Sequence, residues 1–275
     1  MIDTEKDLFS LKGKVIVVTG ATGVLGLSFI NAIAGAGGVV GVLGRNEKVA
    51  NERVANILEN GGQAIALIAD VMNEAQLILA KEKIIAAYGK IDGLVNAAGG
   101  NVPEAIVQPE QDVFSVNIDG MKKAMDVNLW GTVSPTLIFG KAIAENGGGS
   151  IVNISSVSAE RTLTKVMGYS LGKAAVDAFT KWFSVEMANR YGDKIRMNAI
   201  MPGFFLTEQN RTLLTNENGG YSERGGSVIK HTPFNRFGHP NELDGALIWL
   251  LSDASKFVTG TKVTVDGGFN ASCGV

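Results

Sequence analysis

Short apolar runs rich in β-branched residues recur along the chain, each followed by a stretch with helical spacing, and this alternation limits the fold more than any other feature. Lys14 to Thr19 reads KVIVVT, and Val24 to Ala36 then places Leu25, Phe29, Ile30 and Ile33 at helical intervals. The unit repeats: Val39 to Leu43 predicts a strand, Glu47 to Glu59 a helix, Ala64 to Ala69 a strand, Glu74 to Tyr88 a helix and Ile91 to Asn96 a strand. Further strands are predicted at Ser150 to Ile154, Lys194 to Ile200 and Lys262 to Val265, with helices at Met121 to Ala144, Tyr169 to Arg190 and Asn241 to Leu251. Runs such as VIVVT and IVNIS are apolar on both faces, as parallel strands must be when helices cover both sides of a sheet.

The prediction is an α/β fold, a doubly wound parallel seven-stranded sheet of the Rossmann type. The pattern never breaks over 275 residues, so a single domain is expected. Two stretches resist the scheme, Gly99 to Gly120 and Gly203 to Thr232, both rich in Gly, Pro, Asn and charge. Both follow predicted strand carboxyl ends, where ligands bind in open α/β sheets, and residues 203–232 are read as a small substrate-binding lid.

Composition narrows the partners. A net charge of -2 without a Lys or Arg run argues against nucleic acid. No apolar stretch is long and uncharged enough to span a bilayer. The start mixes Asp3, Glu5, Lys6 and Asp7 with few apolar residues, unlike a secretory signal, and the single cysteine, Cys273, permits no internal disulfide and has no companion ligands for a metal. A cytoplasmic location is expected.

Thr19 to Gly26 reads TGATGVLG between the first strand and first helix. Glycines there allow a tight turn and let backbone N–H groups approach a pyrophosphate at the helix N-terminus. The second strand ends in Gly44, where an acid for the ribose hydroxyls would sit, followed by Arg45 and Asn46. A guanidinium pairs with a 2′-phosphate that an acid would repel, so NADP is favoured over NAD; the alternative is that Arg45 is a solvated loop cation. Asp70, ending the third strand, either accepts from an adenine amino group or caps a helix.

Tyr169 and Lys173 lie one helical turn apart and share a face. An ammonium beside a phenol lowers its pKa toward a workable acid or base. Ser156 follows the strand IVNIS at the sheet's carboxyl edge, where its hydroxyl either bonds a reacting oxygen or caps a turn. Asn128, an amide inside a predicted helix, is a mediocre helix former at that position.

Taken together, TGATGVLG, Asp70, NAAG at Asn96 to Gly99, VNLWG around Asn128, NISS ending at Ser156, YSLGK from Tyr169 to Lys173, and Pro202–Gly203 resemble the short-chain dehydrogenase/reductase family over nearly the whole chain. One position departs: the family pattern TGxxxGxG has glycine where this chain has Val24, with Gly23 before it. The resemblance implies a catalytic set of Asn128, Ser156, Tyr169 and Lys173. Tyr169 would be the general acid/base, Lys173 would lower its pKa and hold the ribose, Ser156 would orient the substrate oxygen, and Asn128 would anchor a water. It also implies cofactor contacts at Gly20, Thr22, Gly23, Val24, Leu25, Gly26, Arg45, Asn46, Asp70, Val71, Asn96, Ala97, Ala98, Gly99, Tyr169, Lys173, Pro202, Gly203 and Thr207. The apolar helix Leu243 to Leu251 and the tail Val258 to Phe269 resemble the family's tetramer surfaces, so a homotetramer is expected.

For the substrate, Lys165 precedes Tyr169 by four residues, and Asn101, Gln209, Asn210 and Arg211 fall in the two insertions. Such donors, with Ser156, suit a polyhydroxy acid; otherwise they solvate two loops. The segments GGN, LTKV, PGFFLTEQNR and HTPFNRFG resemble the D-mannonate oxidoreductase (fructuronate reductase) branch, which implies interconversion of D-mannonate and D-fructuronate. Rival readings are a gluconate 5-dehydrogenase-like enzyme, a 3-oxoacyl-carrier-protein reductase, and a nucleotide-sensing regulator without activity.

Overall fold

The computed structural model describes residues 7–216 and 218–273. The first half of the chain runs β1 (Val15–Thr19), α1 (Val24–Gly35), β2 (Val39–Gly44), α2 (Glu47–Glu59), β3 (Gln63–Ile68), α3 (Glu74–Tyr88) and β4 (Gly93–Asn96). The second runs α4 (Ile118–Glu145), β5 (Gly149–Ile154), α5 (Met167–Tyr191), β6 (Ile195–Pro202), α6 (Glu208–Leu214), α7 (Glu223–His231), α8 (Asp244–Leu251) and β7 (Lys262–Val265). The strands form one sheet in the order β3-β2-β1-β4-β5-β6-β7, parallel throughout. Strand order reverses between β1 and β4, so a crevice opens at the carboxyl ends of those two strands.

Alternation along each strand feeds two cores. β1 gives Ile16 and Val18 to a core with Phe29, Ile33, Leu247 and Leu250, and Val15 and Val17 to a core with Leu77, Ile84, Phe139 and Met187. The doubly wound sheet expected from sequence is thus present, with α1 and α8 contributing to one core and α3, α4 and α5 to the other.

Three differences from the expected elements have local causes. α4 starts at Ile118 because the Asn117 side chain accepts from the Gly120 amide at 3.0 Å and caps the helix. The helix expected over Asn241–Leu251 divides into a 3-10 turn at Pro240–Leu243 and α8. Residues 203–232 contain α6 and α7, neither predicted: α6 has seven residues, and α7 holds Gly225 and Gly226, poor helix formers. These two helices share a small core of Leu214, Val228 and Phe237. Among the described residues no helix is long and apolar enough to cross a membrane.

At the start of α8, both Asp244 carboxylate oxygens accept from the Ser28 hydroxyl of α1 at 3.0 Å. Burial pushes this carboxyl up to about 6, against the hydrogen bond from Ser28, which lowers it. A raised folded-state pKa favours the protonated form in the fold. The resulting stabilisation is full below the unfolded pKa of 3.8 and is lost as pH rises through about 6. Asp244→Asn is therefore expected to raise Tm by about 2–4 °C at pH 7.5, a gain of about 1 kcal/mol after discounting for partial exposure. The gain should shrink toward pH 4.5; calorimetry at the two pH values checks it, and an equal gain at both would contradict the titration.

Candidate active site

The turn between β1 and α1 is shaped by backbone contact. Gly20 has φ 64, and a Cβ there would lie 2.7 Å from the Ala97 carbonyl oxygen. A Cβ on Gly26 would overlap the Gly20 carbonyl oxygen and lie 2.8 Å from the Ala21 Cα. Gly23 is the N-cap in an extended conformation open to any residue, and Val24 simply begins the helix, so the departure from the family pattern leaves the turn intact. Thr19 Oγ1 accepts from the amides of Ala97 at 3.1 Å and Ala98 at 3.2 Å, joining the glycine turn to the loop after β4. No side chain caps α1 and no acid occupies its first turn, which leaves its amides suited to a phosphate anion. Sequence reasoning missed Arg53, whose guanidinium reaches back from α2 to the carbonyls of Ala21 and Gly23, the latter at 2.8 Å.

Around the end of β2, the space over Gly44 is filled: a Cβ there would lie 2.7 Å from both Cγ2 and Oγ1 of Thr22. Arg45 is largely exposed and its guanidinium lies 3.7 Å from the Asp70 carboxylate. Asp70 also accepts from the Met72 amide at 2.9 Å, so it organises the turn before α3 while facing Arg45. Asn46 caps α2 through the Val49 amide. Val71 is buried against Gly131. The side chain of Asn96 points into the core, donating to Thr136 Oγ1 at 2.9 Å and Asn153 Oδ1 at 2.8 Å. Asn153 in turn donates to Thr180 Oγ1, so a buried polar column ties α4, β4, β5 and α5 together.

Asn128, Ser156, Tyr169 and Lys173 converge above this column. Lys173 is buried and donates to the Ile154 carbonyl at 2.7 Å, with its Nζ 5.7 Å from the centre of the Tyr169 ring. A Cβ on Gly99 would lie 2.6 Å from Asn128 Oδ1 and 3.3 Å from Lys173 Nζ, so the loop after β4 rests on both side chains. Asn128 accepts from the Gly100 amide at 3.1 Å and donates to the carbonyls of Gly100 and Ala124. Its expected water-anchoring role competes with these bonds. Ser156 accepts from the amide and hydroxyl of Ser158, capping a 3-10 turn at Val157–Ala159, and its hydroxyl is also the partner of the Tyr169 phenol. The turn-capping reading of Ser156 therefore holds.

The electrostatics correct one expectation. Burial raises the Tyr169 phenol above its usual pKa, and the opposing influence is the hydrogen bond with Ser156, not the charge of Lys173. Desolvation is the leading influence on this phenol. Burial also lowers Lys173 to about 8, partly offset by the charge of Asp177. At neutral pH the site therefore holds a neutral phenol able to give a proton beside a mostly charged ammonium.

The expected substrate residues divide. Lys165 stands in the loop before α5 at φ 75, a left-handed conformation that costs a lysine about 1–3 kcal/mol and recurs at functional sites. Its carbonyl accepts from the Val107 amide, which stitches the first insertion to this loop. Asn101 is exposed in the first insertion and Arg211 is exposed on α6. Asn210 spends its amide on a capping box, accepting from the Thr207 amide and donating to the Phe205 carbonyl, each at 2.8 Å. The side chain of Gln209 lies outside the described residues. Pro202 ends β6, and Gly203 packs against Asp266. Two further cations are unforeseen: Arg224 of α7 grips the Lys165 loop by donating to the hydroxyl and carbonyl of Thr164, and Arg161 holds Asn270 and Ser272 of the C-terminal tail.

The cradle formed by Gly20, Gly26 and Gly99, open amides at α1 and a buried ammonium with one acceptor fits a dinucleotide placed along the crevice. Fold and site thus define a Rossmann-type dinucleotide-binding protein. A family model described as "Enoyl-(Acyl carrier protein) reductase" matches residues 20–270. A relative from Bacillus subtilis (strain 168), "Uncharacterized oxidoreductase UxuB", is 40% identical, covering 97% of this chain and 98% of its own. A Haemophilus influenza structure with bound NAD, named "putative D-Mannonate oxidoreductase", is 34% identical with TM-score 0.89, covering 97% of this chain and 98% of that one. The structure of a gluconate 5-dehydrogenase from Burkholderia cenocepacia J2315, in complex with NADP and tartrate, is 33% identical with TM-score 0.85 at the same coverages of 97% and 98%. The chain belongs to the short-chain dehydrogenase/reductase family of oxidoreductases.

Proposed function

We propose that this chain interconverts a sugar acid and its keto form with NADP or NAD, the pair being D-mannonate and D-fructuronate. The observation that carries the reading is Lys165, a cation held in a strained conformation in the loop leading to Tyr169. A carboxylate in the cleft needs such a partner, and a neutral ketone does not. Similarity to the Haemophilus protein supports the same choice.

The glycine turn, Arg45, Asp70, Val71, the loop Ala97–Gly99, Lys173 and the segment Pro202–Thr207 would hold the dinucleotide, which when bound supplies the hydride for the substrate carbonyl at C5. Tyr169 gives its proton to the carbonyl oxygen as negative charge develops there. Ser156 donates a hydrogen bond to that oxygen and keeps the phenol aimed at it. Lys173 helps to hold the dinucleotide beside the phenol, and Asn128 holds the Gly99–Gly100 backbone next to it. Residues 203–232 close over the substrate as a lid, with Arg211 as a second cation for the carboxylate. Arg45, exposed beside Asp70 and with no acid at position 44, favours NADP. Assembly through α8 and β7 as a homotetramer belongs to the same reading.

Steady-state assays of D-fructuronate, 5-ketogluconate and neutral ketones, each with NADPH and NADH, test it. D-fructuronate with NADPH should give the highest kcat/KM. Lys165→Met should raise the KM for fructuronate about 10–100-fold with kcat nearly unchanged, because a charge-assisted contact is lost from ground and transition states alike. A protein that ignores sugar acids but reduces neutral ketones well lacks this function. Preference for 5-ketogluconate assigns it instead to the gluconate branch, the second reading favoured by the Burkholderia structure.

A further inference from the structure

Behind the site, charges of alternating sign run outward from Lys173. Tyr169, Lys173 and Asp177 succeed one another at four-residue intervals on one face of α5. Asp177 Oδ2 accepts from Lys262 Nζ of β7 at 2.6 Å, and the same ammonium lies 2.5 Å from Glu160 Oε1. Glu160 Oε2 then accepts from Asn270 Nδ2 at 2.7 Å, and Asn270 is itself held by Arg161. The side chains of Asp177 and Lys262 are 12% and 16% exposed, so this cluster is poorly screened by solvent.

Within this charge network, one buried oxygen of Asp177, Oδ1, lacks a hydrogen-bond partner. A carboxylate oxygen left bare inside a protein is costly unless a nearby positive charge compensates it. Lys262 is bound through the other oxygen and divides its charge with Glu160, which leaves the ammonium of Lys173, one turn away, to compensate Oδ1. The remaining groups around Lys173 are neutral: the Tyr169 phenol on α5, the Asn128 amide on α4, the Ile154 carbonyl of β5 and the backbone of Gly99. Lys181, further along α5, acts on Glu160.

We propose that Asp177 is a positioning residue for Lys173, keeping its ammonium charged in the cleft, and that Lys262, tempered by Glu160, sets how strongly Asp177 does so. Burial alone works against that charge, and the charge of Asp177 is the influence that opposes it. This role of Asp177 rests on the proposed function, in which Lys173 is one of the residues that hold the dinucleotide. Because Glu160 is also bound to the tail residue Asn270, the C-terminal tail helps to fix the strength of that charge.

The test is binding of NADPH and NADH to the intact protein, followed by fluorescence from pH 6 to 10, with no substrate and no turnover. Wild-type affinity should fall at least about fivefold as Lys173 loses its proton around pH 8. Asp177→Asn, which keeps shape and hydrogen-bonding capacity, should move this fall about one pH unit lower. Lys262→Gln, which uncovers the carboxylate of Asp177, should move it higher, and Asp177→Glu should bring it back toward wild type. A merely structural role would lower Tm in both variants without opposite shifts of the binding curve. Superimposable curves for wild type and Asp177→Asn, or shifts of the same sign in Asp177→Asn and Lys262→Gln, overturn the inference while leaving the role of Lys173 intact. A wild-type curve with no alkaline fall overturns both the inference and that role, and the sugar-acid assays then judge the substrate assignment separately.

Discussion

Tyr169→Phe is expected to lower kcat for carbonyl reduction about 10²–10⁴-fold, the range for removal of a general acid, while the Kd for NADPH stays within about twofold. The phenol meets the Ser156 hydroxyl, and loss of its oxygen leaves the ring, α5 and the bond from Lys173 to Ile154 in place. Since burial keeps the phenol protonated, the lost group is a proton donor, and the deficit should persist across neutral pH. Stopped-flow kinetics and fluorescence titration separate the two quantities. Turnover within threefold of wild type would remove Tyr169 from the chemistry.

A comparable effect on the other half of the site is expected from Gly26→Ala. The added methyl would meet the Gly20 carbonyl and the Ala21 Cα, both backbone, so no side chain can rotate away and the turn must open. Overpacking of about 1–3 kcal/mol corresponds to a loss of dinucleotide affinity of about 5–150-fold. The control lies in the same turn: a Cβ on Gly23 would lie 3.3 Å from the Gly20 carbonyl, and Gly23→Ala should weaken binding far less. Equal effects of the two substitutions would show that the close approach at Gly26 does not govern the turn.

The features behind these expected outcomes differ in how far they can be read from sequence. Strands and the longer helices announce themselves by period, because β-branched residues on both faces and apolar residues at helical spacing reflect burial within a few residues. The bounds of α2, α3 and β7 match their sequence prediction for that reason. Lys165 was legible as a cation near Tyr169, but not its left-handed backbone, which the Val107 contact from the first insertion helps to define. In sequence Asn210 reads as a substrate donor and Thr207 as a cofactor contact, although a threonine followed three residues later by a side-chain amide is also the signature of a helix start. Arg161 with Asn270, Arg224 with Thr164, and Lys262 with Asp177 join residues at least 60 apart, and nothing in local spacing announces such pairs.

The packing of Thr22 over Gly44 bears on how cofactor choice can change within this lineage. An acid at position 44, as needed to grasp unphosphorylated ribose, would bring a Cβ to 2.7 Å from both branches of Thr22 and 3.2 Å from its Cβ. Rotation about χ1 can turn only one of the two branches away, and the Thr22 Cβ itself stays close. An acid at position 44 is accommodated only together with a smaller residue at position 22, which by itself leaves a gap beside the glycine turn. The two sites are therefore epistatic. Whichever change arises first is unfavourable until the second follows, so a shift of cofactor here is a paired event rather than a gradual one.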